Sequence, residues 1–422
     1  MNKEEPPQKL KPSLGLFDAT AISVGAIIGA GIFIVTGIAA GLAGSALIVS
    51  MVIAAVIALF TALSFAELTA WQPKEGSVYE YTYQLISPFA GFLTGWLWIL
   101  SNTFAGAAVS LGFAYYLTAL YPILPANWVA AILCLAFTAL NFFGIRQSAL
   151  LNNGLVTAKL IILAFFVVLG LTFMNTTNFA PFKPFETGVF YGAFYIFFAY
   201  GGFARVAVVS EEVKDAKRNV PRAILLSLVI STLVYILVGV VAVGLVGAPS
   251  LSGSKSPLTD AISITGSTPA VYTVSVGGLL ATASVLLTSI LGVSRMTFAM
   301  ARRKDLPQTL SKLHSKFNTP YYSIWILGIL MALFALFLDL SGVVAISTFA
   351  LLFYYTLANI CAFKLKAEKR LYGKYVPTIG TITCLALMVF IPLEAWIIGA
   401  AGLVAGIIFY WAKKHLTKKE YA

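Results

Sequence analysis

Two glycine-rich stretches inside long apolar segments are the residues best suited to binding chemistry. One runs from Gly25 to Phe33 (GAIIGAGIF), and the other from Phe197 to Phe203 (FFAYGGF). A helix interrupted there leaves backbone N–H groups and carbonyls without intrahelical partners, and these groups can bind a charged ligand. Close helix packing is the alternative, because Gly25 and Gly29 also form a small-xxx-small pair. We favour interruption because the stretches occupy corresponding places, about five apolar segments apart.

An α-amino acid suits such a site because it carries a carboxylate and an ammonium group on adjacent atoms. N–H groups at a helix start favour the carboxylate, and carbonyls at a helix end favour the amine. The N–H groups of Gly29, Ala30 and Gly31 are the predicted donors to the carboxylate. Carbonyls near Ile27 and from Phe197 to Ala199 are the predicted acceptors for the amine. The predicted substrate-binding residues are Ile27, Gly29, Ala30, Gly31, Phe197, Phe198, Ala199 and Gly201.

Lys159 is an ionisable residue inside the apolar run that begins near Leu155. A charge at the bilayer centre costs about 2.5 to 3.5 kcal/mol on insertion scales, so such a residue indicates function. Burial disfavours the ammonium form, so Lys159 could gain and lose a proton as water access alternates, which would couple transport to protons. Ser284 and the carbonyl of Ile27 are its predicted partners. The alternative is that the lysine extends to the inner membrane interface.

Composition decides which elements must position these residues. The chain has 422 residues, of which 59% are hydrophobic and 10% charged, against about 25% charged in an ordinary soluble domain. A soluble fold is therefore excluded. Apolar runs of membrane-spanning length alternate with short polar segments, which predicts twelve spans between Phe17 and Trp411. The spans must be helices, because lipid offers no partner for an open backbone.

The distribution of basic residues predicts the orientation. With a cytoplasmic N-terminus, Lys183 and Lys255 are the basic residues of the outer loops, Lys159 lies in a span, and the rest of the 28 lie on or near the inner side. This asymmetry favours cytoplasmic termini in a multi-pass protein of the cell (plasma) membrane. The net charge of +12 is accordingly assigned to lipid headgroups and not to nucleic acid.

The sequence gives little support for a metal site, a cofactor site, an enzyme active site or a passive pore. The cysteines, Cys134, Cys361 and Cys384, lie in apolar runs at unrelated spacings, and His314 and His415 lie in polar segments. We therefore expect no metal, no cofactor and no enzyme active site. A passive pore would carry rings of charge or a filter sequence, and neither is visible.

The side-chain pocket is predicted to favour neutral amino acids. A cationic side chain would lack a counter-ion, because five predicted spans have no Asp or Glu near their middle. These are spans one (17–40), three (89–117), six (188–209), eight (271–299) and ten (343–362). An aromatic wall suits a neutral or apolar side chain. Its members are Phe197, Phe198, Tyr200 and Phe203.

Four motifs in order resemble the amino acid, polyamine and organocation transporter family. They are the two glycine stretches, Pro73 to Tyr81 (PKEGSVYEY) and Glu212 to Arg222 (EVKDAKRNVPR). The resemblance extends from about Leu14 to Trp411. It implies the leucine-transporter-like fold, with two inverted five-helix repeats plus two further helices, and alternating access to a substrate held by spans one and six.

Within this family, the subgroup similar to cationic amino acid transporters and their prokaryotic relatives carries a lysine in span five, which Lys159 matches. Two positions depart from the family pattern. Ala204 stands where many members have glutamate, and Ala30 where many have Ser or Thr. Arg205 is also unusual, and one interpretation makes it an anchor near the inner mouth.

The predicted organisation is a cytosolic tail (1–13), a first repeat (14–174), a second inverted repeat (186–366), helices eleven and twelve (375–412) and a second tail (413–422). We expect a monomeric secondary active amino acid transporter, coupled to protons and working by alternating access as a symporter or exchanger. Its expected partners are the amino acid, protons and membrane lipids. The alternatives are a cationic amino acid carrier or exchanger of the same fold, a sodium-driven carrier, a nutrient sensor and a passive pore.

Overall fold

The computed structural model describes residues 12–73, 76–144, 149–366, 368 and 370–420, apart from the side chains of residues 30 and 416–420. Most of the predicted tail 1–13 lies outside the described residues. So do Lys74 and Glu75 of the loop motif, Lys369, and the last two residues of the predicted tail 413–422.

The described part of the chain is built from α-helices joined by short turns, and its residues form no β-strand beyond a single bridge between Leu14 and Val213. The helices are α1 (Leu16–Ile27), α2 (Ala30–Ala43), α3 (Leu47–Trp71), α4 (Val78–Leu85), α5 (Pro88–Leu120), α6 (Ala126–Phe142), α7 (Ala149–Leu171), α8 (Thr187–Tyr200), α9 (Arg205–Val208), α10 (Ala216–Ser252), α11 (Pro257–Ser263), α12 (Thr268–Arg302), α13 (Tyr321–Phe337), α14 (Leu340–Lys364), α15 (Tyr375–Met388) and α16 (Leu393–Glu420).

The expectation of an all-α membrane protein is confirmed. Among the described residues, 8 helical stretches are long and apolar enough to cross a membrane, the first of them covering α1 to α3. Three shorter apolar helices, α6, α13 and α15, add to these. Every predicted span overlaps one of the helices. Apolar side chains also point outward, as lipid requires: Val168 on α7 is 68% exposed and Val229 on α10 is 63% exposed.

Two helix boundaries show how local chemistry sets the ends of spans. Helix α7 already includes Ala149, before the predicted start near Leu155, and in this added part Asn153 Nδ2 donates to Asp18 Oδ1 on α1 at 2.8 Å. The sequence predicts span seven over residues 224–246, and the chain bends just after this predicted end. Gly247 has a φ of 74° and a ψ of 160°, and Pro249 follows it, so the regular helical backbone stops there.

The short helix α4 is fastened to the end of α12 by polar contacts. Tyr79 Oη donates to Asp305 Oδ2 at 2.6 Å, and Tyr83 Oη donates to the same oxygen. Arg303 makes two contacts to the Glu80 carboxylate, at 2.7 and 3.2 Å. Burial, and then the bond to Asp305, raise the pKa of both tyrosines above its ordinary value, so both hydroxyls remain donors at neutral pH.

Replacing Asp305 with Ala is expected to lower the stability of the folded protein. The change leaves the hydroxyls of Tyr79 and Tyr83 without their acceptor, and an unsatisfied buried donor costs about 1–3 kcal/mol. Thermal unfolding of the purified protein in detergent should show a lower midpoint. Glu186→Gln is the matched control, since its ion pair with Lys183 is solvent-exposed and should not shift the midpoint. Equal midpoints for Asp305→Ala and the wild type would refute this account of the α4–α12 contact.

Candidate functional site

The first glycine stretch interrupts a helix. Helix α1 ends at Ile27, and α2 begins at Ala30. Between them, Ile28 has a φ of −78° and a ψ of 68°, and Gly29 a φ of −121° and a ψ of −129°, both outside helical geometry. The N–H groups in the first turn of α2 therefore have no carbonyl within their own helix. Gly29 differs from the prediction, because its N–H already donates to the Ile27 carbonyl at 2.8 Å.

The second stretch changes helix type without unwinding fully. Helix α8 ends at Tyr200, residues 201–204 form a 3₁₀ turn, and α9 begins at Arg205. Gly201 keeps a φ of −58° and a ψ of −12°, so the backbone tightens there and does not extend. The predicted interruption is therefore complete at the first stretch, where the backbone leaves helical geometry. At the second stretch it is partial, because the α-helix changes to a 3₁₀ turn.

Glycines bring the two interruptions into backbone contact. A Cβ added at Gly202 would overlap the backbone of Ala26 and Ile27, and one added at Gly31 would overlap Ala199. Close packing and interruption were alternatives from the sequence. The structure has close packing and helix interruption together. The glycines that allow the backbones to touch lie within or next to the residues at which the α-helices end.

A central cavity of about 60 Å³ lies between the interruptions. Five predicted substrate-binding residues line it: Ile27, Gly31, Phe198, Ala199 and Gly201. Gly29 is not among its lining residues, and Phe197 is buried with its ring centroid 5.9 Å from that of Tyr355. The side chain of Ala30 lies outside the described residues. Helices α5, α12 and α14 complete the wall with Trp98, Ser289 and Leu351, among other residues.

Tyrosines that sequence reasoning missed bind the carbonyls near the interruptions. Tyr235 Oη on α10 lies 2.5 Å from the Ile27 carbonyl and 3.1 Å from the Ala199 carbonyl, so it bridges both helices. Tyr355 Oη on α14 donates to the Gly201 carbonyl at 2.9 Å. The sequence feature that could have revealed them is a tyrosine in the middle of an apolar span, because a buried hydroxyl needs a hydrogen-bond partner. Two of the carbonyls predicted for the amine, those of Ile27 and Ala199, therefore already have donors.

Lys159 lies against the end of α1. Its side chain is 2% exposed, and Nζ donates to the Gly25 carbonyl at 3.3 Å. Its predicted partners are engaged elsewhere: Ser284 Oγ donates to the Ala281 carbonyl, and the Ile27 carbonyl accepts from Tyr235. The burial argues against the alternative of a lysine that extends to the membrane interface.

Arg205 stands between the central cavity and a second one. The second cavity, of about 260 Å³, is lined by Leu14, Glu212, Ser284 and Arg295 among other residues. It is called the inner cavity here because the predicted orientation places Leu14 and Glu212 on the cytoplasmic side. Ala26, Trp98 and Arg205 line both cavities. The interpretation of Arg205 as an anchor near the inner mouth stays a prediction, and the residue also reaches the central cavity. No group of three His, Cys, Asp or Glu side chains within the described residues could hold a metal ion.

The sequence is similar to those of membrane carriers over nearly its whole length. A family model described as amino acid permease matches residues 14–412. An uncharacterized transporter of Mycobacterium tuberculosis is 35% identical over 420 residues, covering 98% of this chain and 94% of the relative. The branched-chain amino acid permease BcaP of Bacillus subtilis is 30% identical, with 97% and 94% covered. Cationic amino acid transporter 4 of Mus musculus is 32% identical, with 85% of this chain and 60% of the relative covered.

Proposed function

Because this chain belongs to the amino acid permease family, we propose that it is a secondary active carrier of L-amino acids that is coupled to protons and works by alternating access. The observation that carries the proposal is the pair of helix interruptions packed against each other around the central cavity. The N–H groups in the first turn of α2, which have no acceptor within their own helix, suit a carboxylate. Carbonyls at the end of α8 suit an amine.

The proposed arrangement in the membrane follows the family. Twelve spans form a first five-helix repeat (14–174), a second inverted repeat (186–366) and two further helices (375–412), in a monomer of the plasma membrane with cytoplasmic termini. In this orientation the inner cavity faces the cytoplasm. Its shared wall with the central cavity at Ala26, Trp98 and Arg205 supports an inward route for the substrate.

Lys159 is the proposed proton-coupling residue. The 3.3 Å contact from Nζ to the Gly25 carbonyl joins α7 to the last turn of α1 before the interruption. Losing the ammonium charge would weaken this contact, because charged donors make stronger hydrogen bonds than neutral ones. A change of proton occupancy would thereby alter how firmly α1 is held. Ser284 lines the inner cavity and is the proposed group on the cytoplasmic proton path.

The test is uptake by the purified protein in proteoliposomes. A panel of labelled L-amino acids is offered under an imposed pH gradient, with and without sodium. We expect saturable uptake, counterflow, dependence on the pH gradient and no dependence on sodium. Absence of counterflow would favour a passive pore, and absence of all uptake would favour a nutrient sensor. Uptake that needs sodium would overturn proton coupling.

Among amino acids, a positively charged side chain is expected to bind poorly. Arg205 already places a positive charge in the wall of the central cavity, and like charges in a low-dielectric site repel. Uptake of labelled alanine or leucine should be inhibited strongly by excess unlabelled neutral amino acid and weakly by excess arginine. Inhibition by arginine that equals inhibition by leucine would instead favour the cationic amino acid carrier.

A further inference from the structure

Among the described residues, the hydrogen-bond partners of the Arg205 guanidinium are two neutral hydroxyl groups. Nη1 donates to Thr288 Oγ1 at 2.5 Å, and Nη2 donates to Ser289 Oγ at 2.7 Å. A guanidinium has five N–H donors, so these two bonds leave capacity for a further acceptor. Both hydroxyls belong to α12 and hold the planar group in one orientation at the cavity wall.

No carboxylate among the described side chains forms an ion pair with Arg205. Described ion pairs, with N···O distances up to 4.0 Å, join Lys183 to Glu186, Arg303 to Glu80 and Arg370 to Glu67. Glu212 shares the inner cavity with Arg205 but is not paired with it, and Arg295 lines that cavity as well. The ammonium group of Lys159 donates to the Gly25 carbonyl and likewise forms no ion pair with a described carboxylate. The centre of the protein thus carries two basic groups and no paired anion.

Unpaired charge of this kind calls for a ligand of opposite sign. A positive charge in a cavity wall without a counter-ion attracts an anion, and a planar guanidinium matches a carboxylate through two parallel hydrogen bonds. Such a ligand could reach Arg205 from the central cavity, whose wall the residue shares with Gly31 and Ala199. These are the backbone segments assigned to the zwitterionic part of the substrate.

We propose that Arg205 binds a carboxylate on the side chain of the substrate, so that the carrier prefers acidic amino acids, aspartate or glutamate, to their amide counterparts. The inference rests on the proposed function, because it assumes that the α-carboxylate and amine are held by the interrupted helices. The side-chain carboxylate is then the one charged group left for the guanidinium. The proposed function disfavours cationic substrates, and this inference adds that substrates with a negatively charged side chain are favoured.

The experiment uses pairs of competitors that differ in charge and little in shape. Uptake of labelled alanine into proteoliposomes is measured against unlabelled aspartate or asparagine, and against glutamate or glutamine. For the wild type we expect the acid to inhibit at a concentration about tenfold below that of the amide, because a hydrogen-bonded charge pair contributes at least this factor. In Arg205→Gln the acid should lose this advantage. Arg295→Gln, a change in the inner cavity alone, should keep it.

Other outcomes separate this inference from the proposed function. If alanine is transported but acid and amide inhibit the wild type equally, the inference fails and the carrier function stands. If replacing chloride with gluconate then abolishes alanine uptake, Arg205 binds an inorganic anion instead, which also overturns the inference. If no amino acid is transported or exchanged by the wild type, the proposed function itself fails.

A second measurement applies if Arg205→Gln shows no uptake. The thermal unfolding midpoint of the purified protein in detergent is compared with and without aspartate or asparagine, since a bound ligand stabilises the folded state. The wild type and Arg295→Gln should be stabilised more by aspartate than by asparagine. Arg205→Gln should show no such difference. A larger shift with aspartate that persists in Arg205→Gln would overturn the inference.

Discussion

Lys159→Ala is expected to abolish accumulation driven by a pH gradient while leaving counterflow exchange of amino acid in place. Lys159 is buried, and its Nζ donates to the Gly25 carbonyl at 3.3 Å, in the helix that ends at the first interruption. Alanine removes both the titratable group and the contact. Substrate could still bind to the backbone groups, but its movement would no longer be linked to a proton.

The measurement compares labelled amino acid uptake into proteoliposomes with an acidic exterior against uptake without a gradient. Lys183→Ala is the matched control, because this lysine is exposed and pairs with Glu186 outside the site. The control should accumulate substrate as the wild type does. Wild-type accumulation by Lys159→Ala would refute the role of this lysine in coupling.

The second large effect is expected from Gly202→Ala. A methyl group at residue 202 would overlap the backbone of Ala26 and Ile27, and backbone atoms cannot move aside as a flexible side chain can. Overpacking of this kind costs about 1–3 kcal/mol. Because the strain falls where the interrupted helices meet, we expect uptake to drop by about tenfold or more.

A glycine in open surroundings provides the comparison. Gly154 lies in α7, the helix that carries Lys159, and an added Cβ there meets nothing within 4 Å. Gly154→Ala should therefore retain uptake, and its thermal midpoint should not fall, since alanine is the better helix former. Initial rates are normalised to the protein recovered in the vesicles. Equal rates for Gly202→Ala and Gly154→Ala would show that the contact at Gly202 is unimportant for transport.

The positions of the interruptions were predictable because they depend on local residue type. Only glycine permits another backbone to approach as closely as Ala26 approaches Gly202. Lys159 was equally visible, since a basic residue in an apolar run is conspicuous in any sequence. The degree of unwinding was not predictable: the first stretch leaves helical geometry at Ile28 and Gly29, whereas the second tightens into a 3₁₀ turn.

Hydrogen-bond partners that lie far apart in the sequence could not be predicted from residue spacing. The Ile27 carbonyl was expected to bind the substrate amine or Lys159, but Tyr235 and the Gly29 N–H bind it. Tyr235 lies more than two hundred residues along the chain from Ile27, and no sequence period relates the two. Arg205 presents the same difficulty, because only the folded chain brings its guanidinium within hydrogen-bonding distance of Thr288 and Ser289 on α12.

By itself the sequence determined that this protein is helical and lies in a membrane, and where its helices would be interrupted. These properties follow from the transfer of each segment into lipid and from the lack of a side chain on glycine, which are local quantities. The tertiary structure alone decided which tyrosines bind the carbonyls beside the interruptions and which carbonyl accepts from Lys159. It also placed Arg205 in a cavity wall with no described carboxylate paired to it. Those outcomes depend on contacts between distant segments, because a buried polar group takes whichever partner the packed helices bring within hydrogen-bonding distance.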